Sequence, residues 1–307
     1  MDRITQEAHH RQRLIRYFEQ KGASKAAIRY ETSRKTVYKW VKRYDGTIES
    51  LKDRSHKPHS SPRAHTEEEE NLVKRAAKKH KWRDLLLAYQ ELRAKGYTRS
   101  YGGFKRIVQK LKDLKPQKRP LRKKNKPYAR ASYPGQKVQI DVKYVPSSCV
   151  VGGGKYYQFT AKDECTRWTY RQMYEEHSTY SAQQFLLEFI KAAPFPIRMV
   201  QTDNGTEFTN VLLVVKATHK TLFEQALDDM DIIYKRIRIA TPRHNGKVER
   251  QHRTDQMRFY DGLRMYSLAD GRKQLAEYQR KSNGYIMTCL DLRSPNQVLA
   301  DYLAVML

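Results

Sequence analysis

Apolar positions in the first third of the chain recur at helical spacing. Leu14, Ile15 and Phe18 form one stripe, which Gly22 stops in the usual position after a helix end. Ser24 starts a short helix carrying Ala27 and Ile28. Ser33 caps the next, where Val37, Trp40, Val41 and Tyr44 fall at i, i+3, i+4 and i+7. Two short helices around a tight turn predict a helix-turn-helix domain over residues 1–58. Its second helix turns Arg34, Lys35, Thr36, Tyr38, Lys39 and Lys42 outward. After a Ser/His/Pro-rich stretch, Ser55–His65, Thr66 precedes Glu67–Glu70, a capping residue followed by carboxylates at the positive end of a helix dipole. Leu72, Val73 and Ala76 continue that helix. Another covers Leu85–Ala94 and ends at Gly96. Ser100 caps a third, with Phe104, Ile107, Val108 and Leu111 inward and Lys105, Arg106 and Lys110 outward. This predicts a second helix-turn-helix unit over residues 66–114.

Beyond Pro134 the period changes from helical to two. Val138, Ile140, Val142 and Tyr144 alternate with Gln139, Asp141 and Lys143. A turn at Gly152–Gly154 leads to strands over Tyr156–Ala161 and Trp168–Met173, which predicts an antiparallel meander of three. Ser181–Ala193 reads as a helix closed by Pro194 and Pro196. Ile197–Thr202 is a short buried strand, Ile232–Ile237 another, and a helix runs from about His244. The order βββαβαβα predicts a mixed α/β domain over residues 134–307, with helices on both faces and a helical tail. The fold class is therefore multidomain, two all-α units ahead of an α/β domain.

Charge gives these elements a partner. The 307 residues hold 61 Lys and Arg against 33 Asp and Glu, a net charge of +28, and most of the surplus lies in the first 133 residues. Such a surplus calls for a polyanion, most simply nucleic acid. The second helix of a helix-turn-helix enters the major groove, so Arg34, Lys35, Thr36, Tyr38, Lys39 and Lys42 become candidate DNA contacts, as do Lys105 and Arg106 in the second unit. Lys115–Arg130 holds eight basic residues, no acidic ones and three prolines. It predicts a basic linker over 115–133 that tracks phosphates, with Lys123 and Lys124 among its contacts. Several classes are excluded. The apolar runs, Val211–Val215 among them, are too short to span a membrane, and the polar N-terminus does not read as a signal peptide. Cys149, Cys165 and Cys289 have neither zinc-knuckle spacing nor the look of a disulfide framework, and fit a reducing cytoplasm.

Three acidic residues stand out by position. Asp141 lies mid-strand opposite the Val/Ile row, Asp203 ends a strand in TDNGTEF, and Glu249 lies near a helix start in PRHNGKVERQHR. If the first and fourth strands are neighbours, Asp141 and Asp203 are adjacent, and a helix packed over that edge brings Glu249 to them. Converging carboxylates repel unless cations neutralise them, and hard divalent ions with oxygen ligands suit such a site. Two ions can activate an attacking oxygen and stabilise a leaving one in phosphoryl displacement. Each residue alone also has a plain reading. A strand Asp can sit at the surface, Asp-Asn-Gly is a turn composition, and Glu249 can pair with Arg253 at i+4.

Taken together, VQIDVKYV, FTAKDECTRW, QTDNGTEF and TPRHNGKVERQHR, followed by Tyr278, Asn283, Leu290 and SPNQVL, resemble the catalytic core of DDE transposases of bacterial insertion sequences. That group is similar to retroviral integrases and has a ribonuclease H-like fold. The resemblance covers about Ser132–Leu299, and the front half fits it, since these transposases carry N-terminal helix-turn-helix units. It implies that Asp141, Asp203 and Glu249 are the catalytic triad holding two Mg²⁺ or Mn²⁺ ions, with Asp141 shared by both. It leaves Asp163 structural. Two features depart from the pattern. The stretch between Asp203 and Glu249 is longer than is typical, the excess lying between Thr209 and Asp231. Gln256 stands where relatives often carry a basic DNA contact, a role that falls to Arg253 or Arg258.

The resemblance implies a DNA transposase that binds the terminal inverted repeats of its element, cleaves a strand and transfers the freed 3′-hydroxyl to target DNA. His244 and Asn245 become candidate contacts near the scissile phosphate. It further implies a dimer or higher multimer on DNA and a bacterial, cytoplasmic, nucleoid-associated protein, and leaves open an ATPase partner. A DNA-binding repressor with a non-catalytic core, or a nuclease without strand transfer, are the alternatives.

Overall fold

The computed structural model describes residues 3–54, 64–112, 131–211, 219–238 and 245–306. Lys123, Lys124, His244 and most of the Val211–Val215 run lie outside the described residues. The chain forms two compact units, Met1–His65 and Thr66–Leu307.

In the first unit, helix α1 (Arg3–Arg29) bends at Gly22, whose φ of 78° and ψ of 170° break the helical path. A side chain would be strained there, so glycine marks the bend. Helix α2 (Arg34–Arg43) starts at Ser33, whose hydroxyl accepts from the Thr36 N–H at 3.1 Å. Leu14, Ile15, Ala26, Ala27, Val37, Trp40 and Leu51 form the core. The Arg11 guanidinium lies 4.0 Å over the Trp40 ring and donates to the Leu51 carbonyl at 2.7 Å. Ile28, expected beside Ala27 in the packing, is 80% exposed: the bend turns Ala26 and Ala27 inward instead.

The second unit opens with α3 (Glu67–Lys79), α4 (Leu85–Ala94) and α5 (Tyr101–Leu111). Thr66 and Glu69 form a reciprocal capping box at the start of α3. The helices bury Val73, Ala77, Ala88, Leu92, Phe104, Ile107 and Val108, while Leu72 faces solvent.

Five strands follow: β1 (Val138–Tyr144), β2 (Tyr157–Asp163), β3 (Thr169–Tyr174), β4 (Met199–Thr202) and β5 (Ile233–Arg236). Their order is β3-β2-β1-β4-β5, with β2 and β3 antiparallel in a meander and β4 and β5 running parallel to β1. The period-two pattern gives the sheet two different faces. Val138, Ile140, Phe159, Ala161 and Val200 face α6 (Thr179–Ala192) and α7 (Leu222–Asp229), where Phe185, Phe189, Phe208 and Phe223 complete an apolar core. Each fully buried large apolar side chain contributes about 1.5–3 kcal/mol. The other face is polar. Gln139, Gln158, Thr160, Lys162 and Arg171 are buried there under α8 (Gly246–Asp255) and α9 (Leu268–Ser282). Arg171 holds Asp255 in a two-point ion pair at 2.8 and 3.1 Å, and Asp255 also accepts from Gln158, Gln251 and Tyr278. Asp163 is structural, accepting from the Gly135 and Thr166 N–H groups and the Thr166 hydroxyl. Helix α10 (Pro295–Met306) closes the chain. Two N-terminal helical regions followed by this α/β domain constitute an all-α front half and a ribonuclease H-like core.

Candidate active site

The polar sheet face carries the acidic residues. The parallel register pairs Val138 with Val200 and Gln139 with Gln201. Carried two residues on, it sets Asp203, just past the end of β4, beside Asp141. In the turn that follows, the Gly205 N–H donates to Asp203 Oδ1 at 3.1 Å.

Glu249 arrives on the first turn of α8, and that turn is fastened to the strands. The Gln139 side-chain oxygen accepts from the Lys247 and Val248 N–H groups at 3.1 and 3.2 Å. These are donors at a helix start, which have no partner within the helix. The Gln139 amide donates to Glu164 at 2.6 Å, and Glu164 also pairs with Lys137 and Lys247. Asn245 Nδ2 donates to the Ile140 carbonyl at 3.3 Å. The start of the helix carrying Glu249 is thus tied to the two strand residues that precede Asp141.

Electrostatics reports the convergence. Burial and the neighbouring charges of Asp203, Glu249 and Glu207 push the Asp141 carboxyl up to about 8, against a single bond from the Val142 N–H. His252, one turn beyond Glu249, places Nδ1 3.5 Å from Asp141 Oδ2, and burial lowers it to about 4, so it stays neutral. Glu207 is buried next to Asp203. Burial raises its pKa, while His177, 2.9 Å away, opposes the rise. An all-oxygen set of carboxylates whose charges destabilise one another fits a hard divalent cation. Among the described residues, no three His, Cys, Asp or Glu side chains are already gathered as a ligand set, and Glu249 is exposed.

The other sequence candidates separate by burial. Arg34, Lys35, Tyr38, Lys39 and Lys42 are exposed on α2. Thr36 is half-buried, its hydroxyl bonded to that of Ser33. Lys105 and Arg106 are exposed on α5, while Lys110 pairs with Glu70 at 2.8 Å. Asn245, expected against DNA, is buried and occupied with β1. Arg253 is exposed, and among the described residues it forms no ion pair with Glu249. Arg258 is committed to Asp84. Gln139, Glu207, His177 and His252 were not singled out in the sequence, although Gln139, Glu207 and His252 lie inside the motifs themselves.

The five-stranded mixed sheet thus carries Asp141 in the middle of β1 and Asp203 just past the end of the adjacent parallel β4, with the start of α8 fixed against β1. Residues 131–242 match the integrase core domain family and residues 10–59 a helix-turn-helix domain family. The chain therefore carries a region similar to the integrase core domain and, ahead of it, one similar to a helix-turn-helix domain. The candidate integrase ORF3 of Spiroplasma virus SpV1-C74 is 35% identical over 125 residues, 38% of this chain and 33% of that protein. The chain thus spans about a third of the length of that relative. Similar solved structures include the simian T-cell lymphotropic virus intasome in complex with a PP2A regulatory subunit, B56 gamma (18% identity, 73% of this chain and 74% of that one, TM-score 0.45). Others are the catalytic core of BIV integrase (16%, 56% and 98%, 0.42) and the magnesium-bound HTLV-2 integrase core (15%, 55% and 99%, 0.39). Among the described residues no helix is long and apolar enough to cross a membrane.

Proposed function

We propose that the chain is a DNA transposase that binds the terminal inverted repeats of its element, cleaves a DNA strand and joins the freed 3′-hydroxyl to target DNA. One observation carries this reading: Asp141, Asp203 and Glu249, from three separate segments, share one electrostatic neighbourhood on the polar face of an integrase core. Asp141, Asp203 and Glu249 are the catalytic residues and would hold two Mg²⁺ or Mn²⁺ ions, which when bound would activate the attacking oxygen and stabilise the leaving one. Gln139 and Asn245 keep the start of α8 against β1, so Glu249 is presented on the side of Asp141. Neutral His252 adds no positive charge that would compete with a cation. The exposed face of α2 reads the element's ends, and the basic surplus supplies phosphate contacts. Cutting two ends in concert requires at least two copies on the DNA.

The test is incubation of the full chain with a plasmid carrying the element's ends and Mg²⁺. The reading predicts 3′-hydroxyl ends and joined products that vanish with a chelator. Cleavage without joined products would make the protein a nuclease, and end binding without cleavage would make it a repressor.

A further inference from the structure

The α3–α4 turn and the end of the α8 region enclose a cleft of about 200 Å³ that the catalytic reading does not use. Its walls are rigidly joined. Arg258 grips Asp84 at 2.5 and 2.9 Å, both side chains being largely buried. The Gln90 amide donates to the Gly284 carbonyl and accepts from the Ile286 N–H, each at 3.0 Å. Ile286 and Leu292 pack into the α3–α5 core.

The charges in the cleft are unevenly spent. Lys79 and His80 face Glu91, and Asp84 is consumed by Arg258. Asp261 lies 3.8 Å from Arg83, a loose contact between exposed groups. Among the described residues Lys81 has no acidic partner. The backbone is strained at the same place: Lys81 and Trp82 are consecutive left-handed residues, with φ of 50° and 56°. Such pairs are costly for bulky side chains and persist where surrounding contacts enforce them. Here the Trp82 N–H donates to Ala77 at 2.8 Å and Lys112 donates to the Trp82 carbonyl. Trp82 packs against the helical core while Lys81 and Arg83, on either side of it, are exposed.

We infer that this cleft binds a backbone phosphate of the DNA substrate, with Lys81 and Arg83 as its cations and the Asp84–Arg258 pair as its fixed wall. Arg258 lies beyond Glu249 on the helical segment that α8 begins and Gln256–Tyr260 continues. The cleft therefore lies along the same segment as the proposed site and would grip DNA flanking the strand being cut. This inference rests on the proposed DNA strand-transfer function.

The test is fluorescence anisotropy of the full chain with a labelled duplex of about 30 base pairs across a salt series. Lys81→Ala/Arg83→Ala is compared with Lys273→Ala/Lys281→Ala, exposed positions on α9. Loss of that one phosphate contact makes the plot of log affinity against log salt shallower by about 0.9 for the cleft variant alone. An unchanged slope, or an equal change in the α9 variant, would overturn the inference. Both cleft side chains are exposed, so unchanged melting is expected of the variant. Mg²⁺-dependent joining by the unaltered chain tests the transposase reading separately: its presence with an unchanged slope would sink the cleft alone, and its absence would sink that reading.

Discussion

At the scale of single residues, Gln139 has the most consequence for its size. Its one side chain satisfies two N–H groups of α8 and a buried carboxylate. Gln139→Leu leaves the two N–H groups without that acceptor, at about 1–3 kcal/mol for each that stays buried, while Glu164 keeps Lys137 and Lys247. The expected outcome is a lower melting temperature and at least a tenfold loss of cleavage, with end binding retained. Wild-type cleavage in a folded variant would show that α8 needs no such anchor. In the sequence, Gln139 is merely the polar half of an alternating strand. That Asp141 and Asp203 lie side by side was legible from their positions on β1 and past the end of β4. The approach of Glu207, His177 and His252 was not, since it is set by α6, α8 and the Asp203 turn packing around β1. Asn245 was misread because nothing local reveals that its amide reaches the Ile140 carbonyl.

At the scale of elements, capping and periodicity were legible: Ser33, Thr66 and Ser100 all start helices, and the alternation marks the antiparallel meander of β1, β2 and β3. The polar layer beneath α8 and α9 was not, because Arg171 and Asp255 look like ordinary surface charges until both helices cover them. Burial alone would raise the Asp255 carboxyl, but Arg171 and several donors outweigh it and hold the group at about 2, below its ordinary 3.8. A folded-state value lower than the unfolded one stabilises the fold above about pH 4. That contribution, on the order of 2 kcal/mol, is lost as pH falls from about 4 through 2. Urea melts between pH 6 and 2.5 should show this loss in the native chain. Asp255→Asn should be less stable at pH 6 and have a flatter profile, whereas an equally steep profile would assign the acid sensitivity elsewhere.

At the scale of the whole molecule, a helix-turn-helix domain and an integrase core share one strongly basic chain, with the helical region α3–α5 built onto the core by Asp84, Gln90 and their partners. The charge imbalance and the change of period near Pro134 made the first two visible. The junction of α3–α5 with the core was hidden, since it joins residues nearly two hundred positions apart. In the proposed function one acidic site performs metal-dependent DNA strand chemistry while other parts of the chain hold the DNA. This is tested by Mg²⁺-dependent cleavage and joining by Asp141→Asn, Asp203→Asn and Glu249→Gln, each alongside binding to the element's ends. All three should lose cleavage and joining by at least a thousandfold and bind the ends within about twofold of the native chain. Cleavage near the native rate in any one of them would remove that residue from the site and overturn the proposed chemistry.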